Sequence, residues 1–326
     1  MNIRFLIPAT QTMRNGNVAT GERWRTFFEK LGHRVISSAP GEEPCELLVV
    51  FNAYKNRQAI INARRKGMGT RIVICLTGTD LYRELKDDPG AADVLFLADQ
   101  LVVLQPLALS ELPPALRGKT MVIFQSAVAP PVASIKAPES FDVCVIAHLR
   151  EVKDPLRTAM AARLLPPESK VRVILVGKAL SDELAAAAAL EAAENPRFRW
   201  IGEQSRERTA EILLRSRVLV LSSLLEGGAN VVSEAVVSGV PVIATDIPCM
   251  RGLLGHDYPG LFPVMDTGSL AALLLRAESD QKFYEELADR CRRESYKFDP
   301  ALEEESLKML LDRVSVKSGR VYGGGT

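Results

Sequence analysis

The hydrophobic and polar positions of this chain follow two alternating patterns. Short apolar runs, typical of buried strands, are separated by longer segments in which apolar side chains recur every three to four positions. One of these segments carries Trp24, Phe27, Phe28 and Leu31 and ends at Gly32, as amphipathic helices do. Strands that alternate with helices predict a parallel sheet with crossover helices, so we expect an α/β protein.

The predicted strands fall into two series, separated by a segment rich in proline and small residues. The first series is predicted at 4–7, 34–37, 47–51, 71–76, 100–104 and 121–124, and the second at 141–147, 171–176, 198–201, 218–221, 240–245 and 260–263. Helices are predicted at 19–31, 155–165, 181–193 and 206–215, and 267–314 follows helical spacing with a break near 298–300. We therefore expect a first Rossmann-like domain over 1–130, a linker over 131–140, a second Rossmann-like domain over 141–299 and a tail over 315–326.

Length and composition favour two ordered domains, with small-molecule chemistry as the default expectation. A chain of 326 residues is long for one core and comfortable for two domains. Apolar residues make up 47% and charged residues 25%, with 41 Lys and Arg against 40 Asp and Glu. This balance indicates neither disorder nor a nucleic-acid surface.

Five cysteines lie far apart in the sequence and form no C-x-x-C pair. Cys75 and Cys144 lie within predicted strands, which favours buried thiols in a reducing compartment over disulfides or a zinc site. The amino terminus is strand-like, and no apolar run reaches the roughly 20 residues that a membrane helix needs. We expect a cytoplasmic protein without stable membrane association.

The most informative stretch is LLEGGANVVSEAVVSGVPVIATD, residues 224–246. Glu226 is followed by Gly227 and Gly228, and a helical run then carries Glu234 eight positions after Glu226. A turn between a strand and a helix lies at the carboxyl edge of a parallel sheet, where ligands bind. The backbone N–H groups at the start of such a helix suit a diphosphate.

Carboxylates accept hydrogen bonds, so beside a diphosphate they suit hydroxyl groups such as those of a sugar and a ribose. A nucleotide-sugar has that layout. From the spacing alone a second interpretation stays open, in which the glycines form a tight turn and Glu234 is a solvated helix residue.

Glu226 through Glu234, continued by SGVPVIATD, resembles the E-x7-E motif of the retaining glycosyltransferases of the GT-B fold, family 4. The resemblance implies two Rossmann-like domains whose parallel sheets face each other across a cleft, a last helix near 301–314 that returns to the first domain, and no metal or other cofactor. It also implies that the first Glu holds hydroxyls of the donor sugar and the second holds the ribose. The donor-binding residues expected on this basis are Gly16, Glu226, Gly227, Gly228, Ala229, Asn230, Val231 and Glu234.

Two cations follow the first strand of the second domain, in the sequence IAHLREVKDP. Arg150 and Lys153 are placed to neutralise the charge that develops on a leaving diphosphate. Family 4 has an Arg and a Lys in this loop, but here the usual arginine position holds His148, with Arg150 two residues later. A solvated charged turn is the alternative interpretation.

Asp80 follows a first-domain strand in LTGTDLYR, and Thr79 stands where family 4 often has a His. A ligand contact and a helix cap are equally compatible with Asp80. The residues expected to take part in catalysis are Arg150, Lys153, Glu226, His148 and Asp80.

Three stretches, NGN with Thr20 and Arg23, LTGTDLYR, and HLR with KDPL, resemble a narrower group, the selenosugar synthases of selenoneine biosynthesis. This resemblance implies transfer of the sugar of a UDP-sugar, UDP-glucose or UDP-N-acetylglucosamine, to selenophosphate, with release of UDP and phosphate. Acceptor-binding candidates are Arg14, Asn15, Asn17, Thr79 and Lys55, and His148 is a further candidate. The chain reads FNAYK at 51–55, where that group has a basic, His-containing stretch.

Three alternatives remain open from the sequence. The chain is compatible with a family 4 enzyme that uses a hydroxyl acceptor, with a sugar-nucleotide epimerase of the GT-B fold, and with a UDP-sugar-binding module that has no activity. The preferred sugar, the anomeric outcome and the oligomeric state are not specified by these motifs.

Overall fold

The chain forms two compact units, each built around a six-stranded parallel sheet. The structure is a computed structural model that describes residues 1–8, 16–36, 44–67, 69–130 and 139–316. The first unit comprises Met1–Ser126, Glu226–Asn230 and Pro300–Thr326, and the second comprises Ala127–Leu225 and Val231–Asp299. The expected α/β class with two parallel sheets is confirmed. Most of the expected linker and nearly all of the expected tail lie outside the described residues.

The sheet of the first unit has the order β2-β1-β3-β4-β5-β6. Its strands are β1 (Asn2–Leu6), β2 (Arg34–Ile36), β3 (Leu47–Phe51), β4 (Arg71–Cys75), β5 (Gln100–Val103) and β6 (Thr120–Val122). Its α-helices are α1 (Gly16–Lys30), α2 (Arg57–Arg65), α3 (Leu85–Asp87), α4 (Pro89–Ala92), α5 (Pro114–Arg117) and, much later in the chain, α13 (Pro300–Val316). A turn of π-helix, Asp80–Glu84, precedes α3.

The sheet of the second unit has the order β12-β11-β10-β7-β8-β9. Its strands are β7 (Phe141–Ile146), β8 (Val171–Val176), β9 (Phe198–Trp200), β10 (Val218–Leu221), β11 (Val242–Thr245) and β12 (Leu261–Phe262). Its helices are α6 (Arg157–Arg163), α7 (Asp182–Glu194), α8 (Arg206–Arg215), α9 (Asn230–Val237), α10 (Pro248–Leu254), α11 (Thr267–Ser279) and α12 (Gln281–Glu294). Asn230, the first residue of α9, belongs to the first unit.

Each sheet has a point at which the order of its strands reverses. In the first sheet this point lies between β1 and β3, and in the second it lies between β7 and β10. In open parallel sheets, ligands bind beyond the carboxyl ends of the strands that flank such a point. The loops after β1, β3, β7 and β10 are therefore the places where this fold favours a ligand. The loop after β1 lies mostly outside the described residues.

Helices α1 and α13 cover one face of the first sheet. Trp24 and Phe28 of α1 pack with Leu307 and Leu310 of α13 against strand side chains such as Phe51. All five of these side chains are at most 1% exposed. Each side chain of this size contributes about 1.5 to 3 kcal/mol when fully buried. The carboxyl-terminal helix is thus part of the core of the first unit.

The end of α9 explains why β11 begins later than the sequence predicts. Gly239 has a φ of +67°, which glycine adopts without strain. The Val240 N–H donates to Ala235 O, and the Gly239 N–H donates to Val236 O. This is a Schellman motif, so Val240 closes the helix before the strand starts at Val242.

The thiols of Cys75 and Cys144 are buried within β4 and β7, as the sequence predicts. Burial raises the pKa of Cys144 to about 12. Among the described residues, the helices are all too short or too polar to cross a bilayer.

Candidate active site

The loops that follow β7 and β10 are tied together through their main chains. The Ser222 hydroxyl donates to Asp154 O at 2.7 Å and to Lys153 O at 3.3 Å. The Leu224 N–H donates to Val152 O at 2.9 Å. Because β7 and β10 are neighbours at the point of strand reversal, these bonds fix the backbone around Lys153 at the position where the fold favours a ligand.

The turn after Lys153 is held by side chains as well. Asp154 has a φ of +43°, in the left-handed region that aspartate tolerates better than most residues. Its carboxylate accepts from Arg157 Nε at 2.7 Å, and Arg157 Nη1 donates to Thr267 Oγ1 at 2.8 Å. The backbone is therefore held by hydrogen bonds on both sides of Lys153.

His148 lies against the loop that follows β8. Its Nδ1 accepts from the Lys178 N–H at 3.2 Å, so Nδ1 carries no proton in this arrangement. A Cβ at Gly177 would lie 1.9 Å from Ala147 O, which shows how closely the two loops approach. His148 is thus fixed against the loop that follows β8 through its Nδ1 atom.

Arg150 and Lys153 differ in their surroundings. Arg150 is exposed, and its guanidinium makes no hydrogen bond or ion pair with a residue that the structure describes. Lys153 is half-buried and ends a short 3-10 turn, Glu151–Lys153. The sequence placed both cations in one loop at a carboxyl strand edge, and the structure places that loop at the strand reversal.

The segment Glu226–Asn230 is packed within the first unit. Glu226 is buried, with 8% of its surface exposed. A Cβ at Gly227 would lie 2.5 Å from Gly78 N, and a Cβ at Gly228 would lie 2.5 Å from Gln125 Oε1. Gly227 therefore packs against the backbone of Thr77 and Gly78, and Gly228 packs against the side chains of Gln125 and Leu104. Neither role was expected from the sequence.

Asn230 and Gly16, both expected at the donor site, are in contact. Asn230 Nδ2 donates to Gly16 O at 3.2 Å, and Asn230 Oδ1 accepts from Arg23 Nη1 at 3.2 Å. The side chain of Asn230 is thus bound by residues of α1. The role expected of Asn230 in donor binding would therefore fall to its main chain. Ala229 is buried and Val231 is half-buried.

Glu234 lies in the second unit, on α9. It is half-buried, whereas its neighbours Ser233 and Ala235 are buried. Its position on the helix is compatible with the expected contact to a ribose, which stays a prediction.

Asn52 joins two of the candidate acceptor residues. It has a φ of +67° and directly follows β3. Its Nδ2 donates to Thr79 Oγ1 at 3.2 Å, and its Oδ1 accepts from the Lys55 N–H at 2.9 Å. Asn52 was not among the residues expected at the site from the sequence, although an Asn directly after a strand is a recognisable signal for a turn of this kind.

Asp80 is fully buried and its oxygens are occupied. Oδ2 accepts from the Ala53 N–H at 2.9 Å, and Oδ1 accepts from the Thr77 N–H at 2.8 Å and the Thr77 hydroxyl at 2.9 Å. Burial raises the pKa of Asp80 to about 6, although these hydrogen bonds oppose the shift. Asp80 therefore organises the loops after β3 and β4, which favours the interpretation as a structural cap over a ligand contact.

Two of the remaining acceptor candidates, Arg14 and Asn15, lie outside the described residues. Asn17 is half-buried in the first turn of α1, Thr79 is half-buried, and Lys55 has an exposed side chain.

Each unit is a doubly wound parallel sheet with a strand reversal, the place where sheets of this kind bind ligands. A model of the family "Glycosyl transferases group 1" matches residues 132–298, about half of the chain. The chain belongs to this family.

A relative from Xenopus tropicalis, "Glycosyltransferase 1 domain-containing protein 1", is 27% identical over 289 residues, which cover 80% of this chain and 83% of the relative. Among solved structures, HepE from Anabaena in complex with UDP and glucose has a TM-score of 0.73 at 16% identity and covers 96% of this chain and 99% of HepE. Sucrose-phosphate synthase from Thermosynechococcus elongatus has a TM-score of 0.79 at 16% identity and covers 97% of this chain and 99% of that chain. The expected GT-B fold is confirmed.

Proposed function

We propose that this glycosyltransferase transfers the sugar of a UDP-sugar and releases UDP. The observation that carries the proposal is the bonding of Ser222 to Lys153 and Asp154, because it fixes a cationic loop at the strand reversal of the second sheet. The solved complexes of HepE with UDP-glucose and with UDP and glucose support the choice of donor.

Each part of the donor is assigned to different residues of the site. The main chain at the start of α9 binds the diphosphate, because its N–H groups have no partners within the helix. Glu234 accepts hydrogen bonds from the ribose hydroxyls, and Glu226 accepts them from the sugar. Arg150 and Lys153 stabilise the negative charge that grows on the diphosphate as its bond to C1 of the sugar breaks.

We further propose selenophosphate as the acceptor. Its support is the sequence resemblance over the NGN, LTGTDLYR and HLR stretches, together with the state of Asp80. Asp80 is fully buried and its oxygens accept hydrogen bonds from Ala53 and Thr77, so this carboxylate is shielded from a hydroxyl acceptor. An anionic selenium nucleophile needs no such base.

In this reaction a lone pair of selenium forms the bond to C1 while the C1–O bond breaks, and the bonding electrons leave with UDP. Water then cleaves the Se–P bond and gives phosphate and the 1-seleno-sugar. Lys55, Thr79, Asn17 and the His148 ring are the described groups that we assign to the acceptor, together with Arg14 and Asn15. His148 can donate to an anion through Nε2 because Nδ1 already accepts from Lys178.

Mass spectrometry of the products tests both proposals. The protein is incubated with UDP-glucose or UDP-N-acetylglucosamine, with and without selenophosphate, and then with a panel of hydroxyl acceptors. We expect a 1-seleno-sugar and UDP only when selenophosphate is present. If products formed only with hydroxyl acceptors, selenophosphate would be refuted as the acceptor, and the proposal of sugar transfer from a UDP-sugar would stand.

Two other outcomes would refute the transferase itself. An isomerised sugar nucleotide formed without any acceptor would identify an epimerase, and UDP-sugar binding without turnover would identify a binding module. Arg150→Gln should abolish most of the turnover. Arg199→Gln is the matched control, because Arg199 is exposed on the edge strand β9.

A further inference from the structure

Glu303, near the start of α13, holds a buried carboxylate with several donors. It is 2% exposed. Its Oε2 accepts from Arg23 Nε at 2.6 Å and from the Ser126 N–H at 2.9 Å, and its Oε1 accepts from Trp24 Nε1 at 2.7 Å. The Ser126 hydroxyl also donates to Oε2. A buried carboxylate with this many partners is held in one position, and the loss of its charge would leave Arg23 without compensation.

Arg23 is bound by Glu303 through two of its nitrogens. Besides Nε, Nη2 donates to Glu303 Oε1 at 3.2 Å, which gives the two-pronged arrangement typical of arginine and carboxylate. This arrangement fixes the plane of the guanidinium and directs Nη1 to Asn230 Oδ1, 3.2 Å away. The position of Asn230 is therefore coupled to that of Glu303 through one rigid side chain.

Residues of α1 engage the other end of the Asn230 side chain. Its Nδ2 donates to Gly16 O at 3.2 Å and lies 3.4 Å from Thr20 Oγ1. Thr20 donates its own proton to Gly16 O at 2.8 Å, and it accepts from Gln125 Nε2 at 2.6 Å. Asn230 is thus held from both sides, directly after the Gly227-Gly228-Ala229 turn.

We propose that Glu303 is a positioning residue for the donor loop. It holds Arg23 in the orientation that binds Asn230, and Asn230 in turn fixes the segment Glu226–Asn230. The effect on donor binding rests on the proposed function, whereas the effect on the order of the segment does not. Arg23 acts here through its planar shape, because its charge is already balanced by Glu303.

Hydrogen exchange in the ligand-free protein tests the coupling without any substrate. The variants are Glu303→Gln, Asn230→Ala and their combination, and the readout is amide exchange in a peptide that covers residues 226–232. We expect Glu303→Gln to speed exchange by roughly tenfold, the effect of losing one hydrogen bond to a charged group. Asn230→Ala should speed it at least as much, because it also loses the bond to Gly16 O. The double variant should exchange no faster than Asn230→Ala, because Glu303 acts on the segment only through Asn230.

Glu304→Gln is the matched control. It makes the same chemical change one residue later in α13, where Glu304 bonds Lys30 at 2.6 Å on the surface. It should leave exchange in this segment at the rate of the wild type. Additive effects of Glu303→Gln and Asn230→Ala, or unchanged exchange in Glu303→Gln, would overturn the proposal.

A folding check and a substitute variant ensure that the experiment gives an answer even if Glu303→Gln does not fold. Fluorescence of Trp24 in a Trp200→Phe background reports whether Glu303→Gln stays folded, because Trp24 Nε1 bonds Glu303 and the chain has only two tryptophans. If that variant unfolds, Arg23→Lys replaces it, since lysine keeps the charge but not the two-pronged geometry. The proposal then requires faster exchange in Arg23→Lys, and unchanged exchange would overturn it.

Calorimetry with UDP connects the coupling to function. Glu303→Gln and Asn230→Ala should each weaken UDP binding by roughly tenfold, again without adding. A wild type that does not bind UDP would refute the proposed function, while the exchange result would still decide the role of Glu303.

Discussion

The Ser222 hydroxyl lies 2.7 Å from the main-chain oxygen of Asp154 and donates to it. This bond crosses between the loops after β7 and β10, which are adjacent in the second sheet. Ser222 is 2% exposed, so water cannot replace its hydroxyl easily. The placement of Arg150 and Lys153 therefore depends on a serine that would contact no substrate itself.

Ser222→Ala should lower the free energy of unfolding by about 1 to 3 kcal/mol, because a buried carbonyl loses its donor. Chemical denaturation measures this loss. Ser306→Ala is the control, since the Ser306 hydroxyl donates to Leu302 O on an exposed turn of its own helix and should change stability little. Equal losses in the two variants would contradict the importance of the loop connection.

Arg150→Gln and Lys153→Gln should each reduce turnover by roughly a hundredfold to a thousandfold, with a much smaller change in UDP affinity. The reason is that charge on the diphosphate grows in the transition state, where these cations act most strongly. Single-turnover kinetics combined with UDP calorimetry separates the two effects. If the variants lost only UDP affinity and kept their turnover, both residues would act on the bound ground state and not on the transition state.

Glu234→Ala should weaken UDP binding by about 1 to 3 kcal/mol, because hydrogen bonds from the ribose to a carboxylate are lost. The same variant should bind 2′,3′-dideoxy-UDP as well as the wild type does, since that ligand lacks both ribose hydroxyls. Calorimetry with the two ligands completes the comparison. An equal loss of affinity for both ligands would show that Glu234 does not act through the ribose hydroxyls.

Gly227→Ala should disturb the packing of the segment Glu226–Asn230, because its Cβ would lie 2.5 Å from Gly78 N. Such overpacking costs typically about 1 to 3 kcal/mol. Gly118→Ala is the matched control, since no atom lies within 4 Å of the added Cβ. Thermal unfolding of both variants measures the difference in stability. A Gly227→Ala protein as stable as the wild type would contradict the close approach of Gly227 to Gly78 N.

Asp80 should give the stability of the protein a distinct pH dependence. Its pKa is raised from 3.8 to about 6 by burial, so between these values the folded protein binds more protons than the unfolded chain. The free energy of unfolding should therefore fall as pH rises from about 4 to 6, by roughly 3 kcal/mol from this group. Denaturation across that range in wild type and Asp80→Asn isolates the effect, because the variant cannot titrate at this position.

Much of the fold follows from local sequence patterns. Buried parallel strands are apolar on both faces, so runs such as Leu47–Phe51 and Val218–Leu221 stand out in the sequence and match the structure at both ends. The break between α11 and α12 at Asp280 was not predicted. Asp280 ends one helix and caps the next by accepting from the Phe283 N–H, a local signal hidden within a continuous helical pattern.

The candidate site was only partly predictable. The E-x7-E motif and the cationic loop are contiguous in sequence, and spacing alone placed them at strand edges. The connections that hold them are not contiguous, because Ser222 bonds residues 68 and 69 positions away and Arg23 bonds Glu303 across 280 positions. No periodicity or spacing rule pairs residues over such distances.

The participation of α13 in the first core has a consequence for how the protein is made. Leu307, Leu310 and Leu311 cover part of the first sheet, yet the ribosome produces them only after the whole second unit. At typical rates of translation this delay is roughly 10 to 35 seconds. During that time the nascent first unit exposes an apolar face, so we expect chaperone engagement to be concentrated there and to end when α13 emerges.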